Sequence, residues 1–111
     1  MYLYLELWSA REAWLKLSRS EREAYFDRVS GAVAEMTASG LELVAFAIND
    51  DDTDERADYE YLSLFRMPDR AMAIEFEKMI DELGWYDLFH QENMRGPDIT
   101  DAEGSAHMLG R

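Results

Sequence analysis

The sequence predicts a single α+β domain in which strand, helix, two strands, helix and strand follow one another. Three observations carry that expectation. Residues 2–8 (YLYLELW) alternate with the period of two that marks a strand. Ser18 and Glu21 stand at the S-x-x-E spacing of a helix capping box, ahead of an apolar stripe at helical spacing. Two apolar runs, 41–48 and 59–66, flank a polar segment in the manner of a hairpin.

Taken in order, strand one places Leu3, Leu5 and Leu7 on one face and Tyr2, Tyr4, Glu6 and Trp8 on the other. The first long helix is expected over 19–38, with Phe26, Val29, Ala32, Val33 and Met36 as its stripe and Gly40 as its stop. LELVAFAI (41–48) and YEYLSLFR (59–66) are strands two and three, joined by the polar loop NDDDTDERAD. Pro68 suits the first turn of a second helix, whose stripe is Met72, Phe76, Met79, Ile80 and Leu83 and whose end is Gly84. WYDLFHQ (85–91) reads as strand four. The domain is therefore placed at 1–96, and the polar, glycine-bearing residues 97–111 are expected to be an arm or a frayed tail.

Composition limits the function classes. At 48% hydrophobic and 32% charged residues the chain is globular rather than disordered. No apolar run approaches the ~20 residues of a membrane span, and MYLYLELW lacks the basic start of a signal peptide. The absence of cysteine rules out disulfides, thiolate metal sites and a cysteine nucleophile, and fits a cytoplasmic location. A net charge of −13 repels phosphate backbones and anionic bilayers, so neither nucleic acid nor membrane is an expected partner. Lys16 and Lys78 are the only lysines among 11 basic residues, a bias that suits a high-salt cytoplasm or a GC-rich genome.

Right-handed crossovers give this element order a ferredoxin-like β-α-β-β-α-β topology, a four-stranded antiparallel sheet with two helices on one face. Leu3, Leu5, Leu7, Leu62 and Leu64 are expected to meet those helices. The opposite face then carries Tyr2, Tyr4, Trp8, Tyr59, Tyr61 and Phe65, an apolar patch of about 500 Å² or more. RNA stacking requires basic surroundings and an RNP motif, both missing. An identical sheet is the simplest cover, giving a homodimer through the aromatic face.

The stretch Trp14-Leu15-x-Leu17-Ser18-x-x-Glu21-Arg22 resembles W-L-x-L-S-x-x-E-R, which precedes helix one in darcynin-like and related uncharacterised members of the dimeric α/β-barrel superfamily. The resemblance covers nine residues closely, and the element order extends it over residues 2–91. It implies two ferredoxin-like sheets packed face to face as a dimeric α/β barrel. The superfamily holds cofactor-independent monooxygenases, haem-degrading enzymes, peroxidases, isomerases and dehydratases, so the resemblance implies a fold and leaves the reaction open. The nine residues themselves staple and cap a helix, which is packing rather than chemistry.

Candidate chemistry is sparse. His90 is the one histidine in an expected element, able to act as a general base or to bind haem iron, or to serve as a partly buried structural group. Glu6, set between Tyr4 and Trp8, is expected to have a raised pKa if desolvated, as a catalytic base requires, or else to pair with an arginine such as Arg66. Trp8, Tyr59 and Tyr61 are candidate ligand-binding residues, with packing as the plainer reading. The orientation of strand four is open: if Leu88 faces the helices so does His90, and a slip of one residue reverses this. The run from Asp50 to Glu55 suggests calcium, but Glu55 and Tyr61 stand where an EF-hand loop needs Gly and Glu, so no metal is assigned. No P-loop, Rossmann or other cofactor motif is present. Two readings follow: a homodimer that binds or turns over a small aromatic or apolar molecule, in a monooxygenase-like or isomerase-like way; or a non-catalytic dimer with no pocket.

Overall fold

The computed structural model describes all residues, Met1–Arg111. The elements are β1 (Tyr2–Ala10), α1 (Glu12–Leu15), α2 (Arg19–Thr37), β2 (Glu42–Ile48), β3 (Tyr61–Met67), α3 (Arg70–Glu82), α4 (Trp85–Leu88), β4 (Phe89–Pro97) and α5 (Asp101–Leu109). The strands form one antiparallel sheet in the order β2-β3-β1-β4. Each long helix thus connects two strands that flank a third. No helix is long and apolar enough to cross a membrane.

Local chemistry sets the helix ends. Ser18 accepts from the Glu21 amide while the Glu21 carboxylate takes the Ser18 amide at 2.8 Å, the expected capping box. Asp69 caps α3 by accepting from the Met72 amide at 2.9 Å, so Pro68 precedes the helix rather than opening it. Gly40 and Gly84 take positive φ just beyond the two long helices, where a side chain is strained.

The two faces of the sheet are the reverse of the expectation. Tyr4, Glu6 and Trp8 on β1 and Ser63, Phe65 and Met67 on β3 are buried under the helices, whereas Leu3, Leu5, Leu7, Leu62 and Leu64 are only half-buried and lie on the uncovered side. Alternation groups residues by face; it does not say which group meets the helices. The larger aromatic surface goes inward because each ring buries more area than a leucine. There it joins Trp14, Tyr25, Phe76, Trp85 and Phe89 in one core. A homodimer through the aromatic sheet face is therefore excluded, since that face is the interior.

Two further segments differ from expectation. Residues 85–88 form a helical turn, and β4 begins at Phe89 and runs to Pro97. Gly84 turns the chain there, and the polar strand HQENMRG is held by backbone pairing to β1 rather than by an apolar run. Residues 101–109 are helix α5, opened by a capping box between Thr100 and Glu103, and none of them is buried. The 49–58 loop closes on itself: Asn49 Nδ2 donates to the Ala57 and Tyr59 carbonyls, and Arg56 Nε to that of Asp50.

Candidate functional site

A cavity of about 530 Å³ lies between the sheet and the helices. Near the N-terminus of α2, Arg22 donates to the Trp14 and Leu15 carbonyls and lies over the Trp14 ring, while the Tyr25 hydroxyl donates to the Leu83 carbonyl. Toward its C-terminus, α2 packs on the core through Val29, Val33 and Met36, and Val29, Ser30, Val33, Ala34 and Thr37 form one wall of the cavity. The opposite wall is Trp8, Phe46, Phe65, Phe76 and Trp85. Edge strand β2 borders it, with Leu43 and Phe46 exposed. A smaller hollow of about 280 Å³ adjoins it and shares Trp8, Val29, Phe46 and Trp85.

Two polar residues interrupt the apolar floor. Glu6 and Ser63 are cross-strand partners on β1 and β3, and both are buried. Glu6 Oε2 accepts from Gln91 Nε2 at 2.8 Å, and Gln91 Oε1 accepts from the Trp85 indole at 2.6 Å. The second hydrogen of the Gln91 amide goes to Asn93 Oδ1, so its orientation is fixed by three partners. Glu6 Oε1 takes no hydrogen bond from the protein and is not sealed off, which leaves it facing the cavity. Burial pushes the Glu6 carboxyl up to about 7, and the Gln91 hydrogen bond opposes this only in part. Its cross-strand neighbours are Ser63 and Asn93, neither of them basic.

The expected site residues divide between the two faces. Glu6 and Trp8 line the main cavity, and Tyr61 lines the adjoining hollow. His90 and Tyr59 do not join them. His90 pairs with Ser9 and is exposed on the uncovered face, because Phe89, not Leu88, sets the inward parity of β4. Its Nε2 lies 3.3 Å from the Tyr59 hydroxyl, and the rings stack at 5.5 Å. The neighbouring Glu92 carboxylate pushes the Tyr59 hydroxyl up to about 12. Arg66 pairs with Glu42 at 3.6 Å on that same face, not with Glu6.

Ser63 and Gln91 belong to the site and were not anticipated. The signal for Ser63 was present: it breaks Tyr61-x-Ser63-x-Phe65 as Glu6 breaks Tyr4-x-Glu6-x-Trp8. A second, part-buried polar assembly lies outside the cavity. Glu77 Oε2 accepts from the Tyr4 hydroxyl at 3.0 Å and from Arg95 Nε at 3.1 Å, tying α3 to β1 and β4.

The family of unknown function DUF6616 matches residues 1–110. The chain belongs to this family. A comparison with functionally described proteins finds no match. Membership of DUF6616 therefore leaves the activity to be argued from the cavity itself.

Proposed function

We propose that this DUF6616 protein binds a small, largely apolar molecule in the cavity beneath α2 and moves a proton on it, with Glu6 as the acid–base group. The observation that carries this is the free Glu6 oxygen facing an apolar cavity. A carboxyl with a pKa of about 7 accepts and returns protons readily near neutrality, whereas an ordinary exposed carboxylate is a poor acid there. The chemistry that one such group supports is isomerase-like. A C–H bond beside a carbonyl breaks, its proton passes to Glu6 Oε1, and the electron pair delocalises onto the carbonyl oxygen. The proton is then returned at another carbon, with no net gain or loss of electrons.

The strand order, with each long helix crossing over a third strand, supports a ferredoxin-like fold, and the resemblance around Trp14–Arg22 supports placement near the darcynin-like barrels. The uncovered leucine face supports a homodimer built on Leu5 and Leu64 rather than on the aromatic face. The cavity weighs against a dimer that has no small-molecule pocket.

The test is the isomerisation of a cyclic β,γ-unsaturated ketone to its conjugated isomer, followed by absorbance, with deuterium uptake from heavy water as a second readout. Glu6→Gln is expected to lose the reaction by a factor of about 10²–10⁴ while still binding the ketone. Equal rates in the wild type and Glu6→Gln would overturn the assignment.

A further inference from the structure

We infer that the cavity selects a neutral oxygenated ring compound, a ketone, enol or phenol, bound through Ser63 Oγ and Glu6, and that it rejects carboxylates and other anions. This rests on the cavity reading above and adds the class of molecule admitted. The first ground is the lining. None of its 14 residues is Lys, Arg or His, so no counter-charge awaits an anion. Arg95, on the same face of β4, is already engaged with Glu77. The groups closest to Glu6 are Gln91 and Asn93 from β4 and Ser63 from β3. The Tyr4 and Tyr86 phenols also feel its charge, and burial keeps both protonated. An anion in this space would meet a carboxylate with nothing between them to offset the repulsion.

The second ground is the pair of open oxygens. Ser63 Oγ has no hydrogen-bond partner in the protein, is not sealed off, and belongs to the residue directly across from Glu6. Residues paired in this way have Cβ atoms about 4.5–5.5 Å apart. One ligand oxygen can therefore sit between them, accepting from the Ser63 hydroxyl and donating to Glu6 Oε1. When Glu6 is protonated, the same oxygen can accept from both. An ammonium group fits less well, because it brings three donors to a site with two open oxygens and must be desolvated beside apolar walls. The rings of Trp8, Phe46 and Phe65 supply flat surface for the rest of the molecule.

The experiment is calorimetric titration at pH 8 of the full chain with naphthalene, naphthol, naphthoate and naphthylmethylammonium. Naphthol is expected to bind about tenfold more tightly than naphthalene, and Ser63→Ala to remove most of that gain. Naphthoate is expected to bind more weakly than naphthalene in the wild type and to recover about tenfold in Glu6→Gln. Lowering the pH to 6 protonates Glu6 but not naphthoate, so its binding is expected to strengthen. Naphthoate or the ammonium binding as tightly as naphthol at pH 8 overturns the selectivity, and naphthalene binding in the same series leaves the cavity reading standing. Failure of all four compounds to bind overturns both.

Discussion

Replacing Glu6 with glutamine is expected to stabilise the protein, and to do so only at the higher end of the pH range. Glu6 is 5% exposed, so solvent screening removes little of the effect. Its pKa rises from 4.5 to about 7 on folding, which corresponds to about 3 kcal/mol once the group is ionised in both states. The sign follows from proton binding. A carboxyl with a raised folded pKa holds its proton more tightly in the native state, so stability falls as pH climbs from 4.5 through about 7 and then levels off. Glutamine keeps the acceptor that Gln91 needs and carries no charge. The difference between Glu6→Gln and wild type is then less than about 1 kcal/mol at pH 5 and about 3 kcal/mol at pH 8. In a domain of this size the latter is a rise in Tm of roughly 10 °C. Urea and thermal unfolding of both proteins from pH 5 to pH 8 measure this, and subtraction cancels the other carboxylates. Parallel stability curves, or a less stable variant at pH 8, would refute the reasoning.

Two further substitutions probe other parts of the structure. Gly40→Ala is expected to cost about 1–3 kcal/mol, because φ is +114° there and the new Cβ would lie 2.7 Å from Pro68 Cγ. Gly31→Ala, in the open interior of α2, is expected to gain up to about 1 kcal/mol; urea midpoints compare the pair, and similar losses in both would refute the distinction. Leu64→Glu, on the uncovered face, is expected to convert a dimer to a folded monomer by light scattering, with unchanged circular dichroism. A wild-type protein that is already monomeric would remove the dimer.

The elements were legible wherever backbone signals act locally. The Ser18–Glu21 box, the glycines at 40 and 84 and the alternation in β1 all describe what a few neighbouring residues do, and all stand as expected. β4 was only partly legible, because a polar edge strand is held by main-chain pairing to β1, which side-chain pattern does not record. The inward face was not legible at all. Both parities of β1 and β3 are apolar, and the choice between them is made by Trp14, Tyr25, Phe76 and Trp85, which arrive from distant parts of the chain. Glu6 and Trp8, which both line the cavity, stood out because a lone carboxylate among aromatics is visible in a heptapeptide. The face of His90 was open in the sequence, because nothing there fixes the parity of strand four, and pairing with Ser9 places it on the uncovered side.

That reversal of faces is what gives Glu6 its significance. On an uncovered face, a glutamate between Tyr4 and Trp8 would sit in water or at a wet interface, and its carboxyl would titrate as others do. Beneath the helices it is desolvated and held by Gln91, with one oxygen left facing the cavity. As an element of architecture this makes no sense, because a glutamine at the same position satisfies Gln91 equally well without the charge. On the proposed reading, a buried carboxyl with a raised pKa in the wall of a cavity is a feature that binding or chemistry explains and packing does not. The fastening of α2 fits the same logic. Arg22, Trp14 and Tyr25 anchor its first turns, and Val33 and Ala34 line the cavity further along. Filling that space, by Ala34→Trp for example, should stabilise the domain and abolish ligand binding together, the signature of a cavity kept for an occupant.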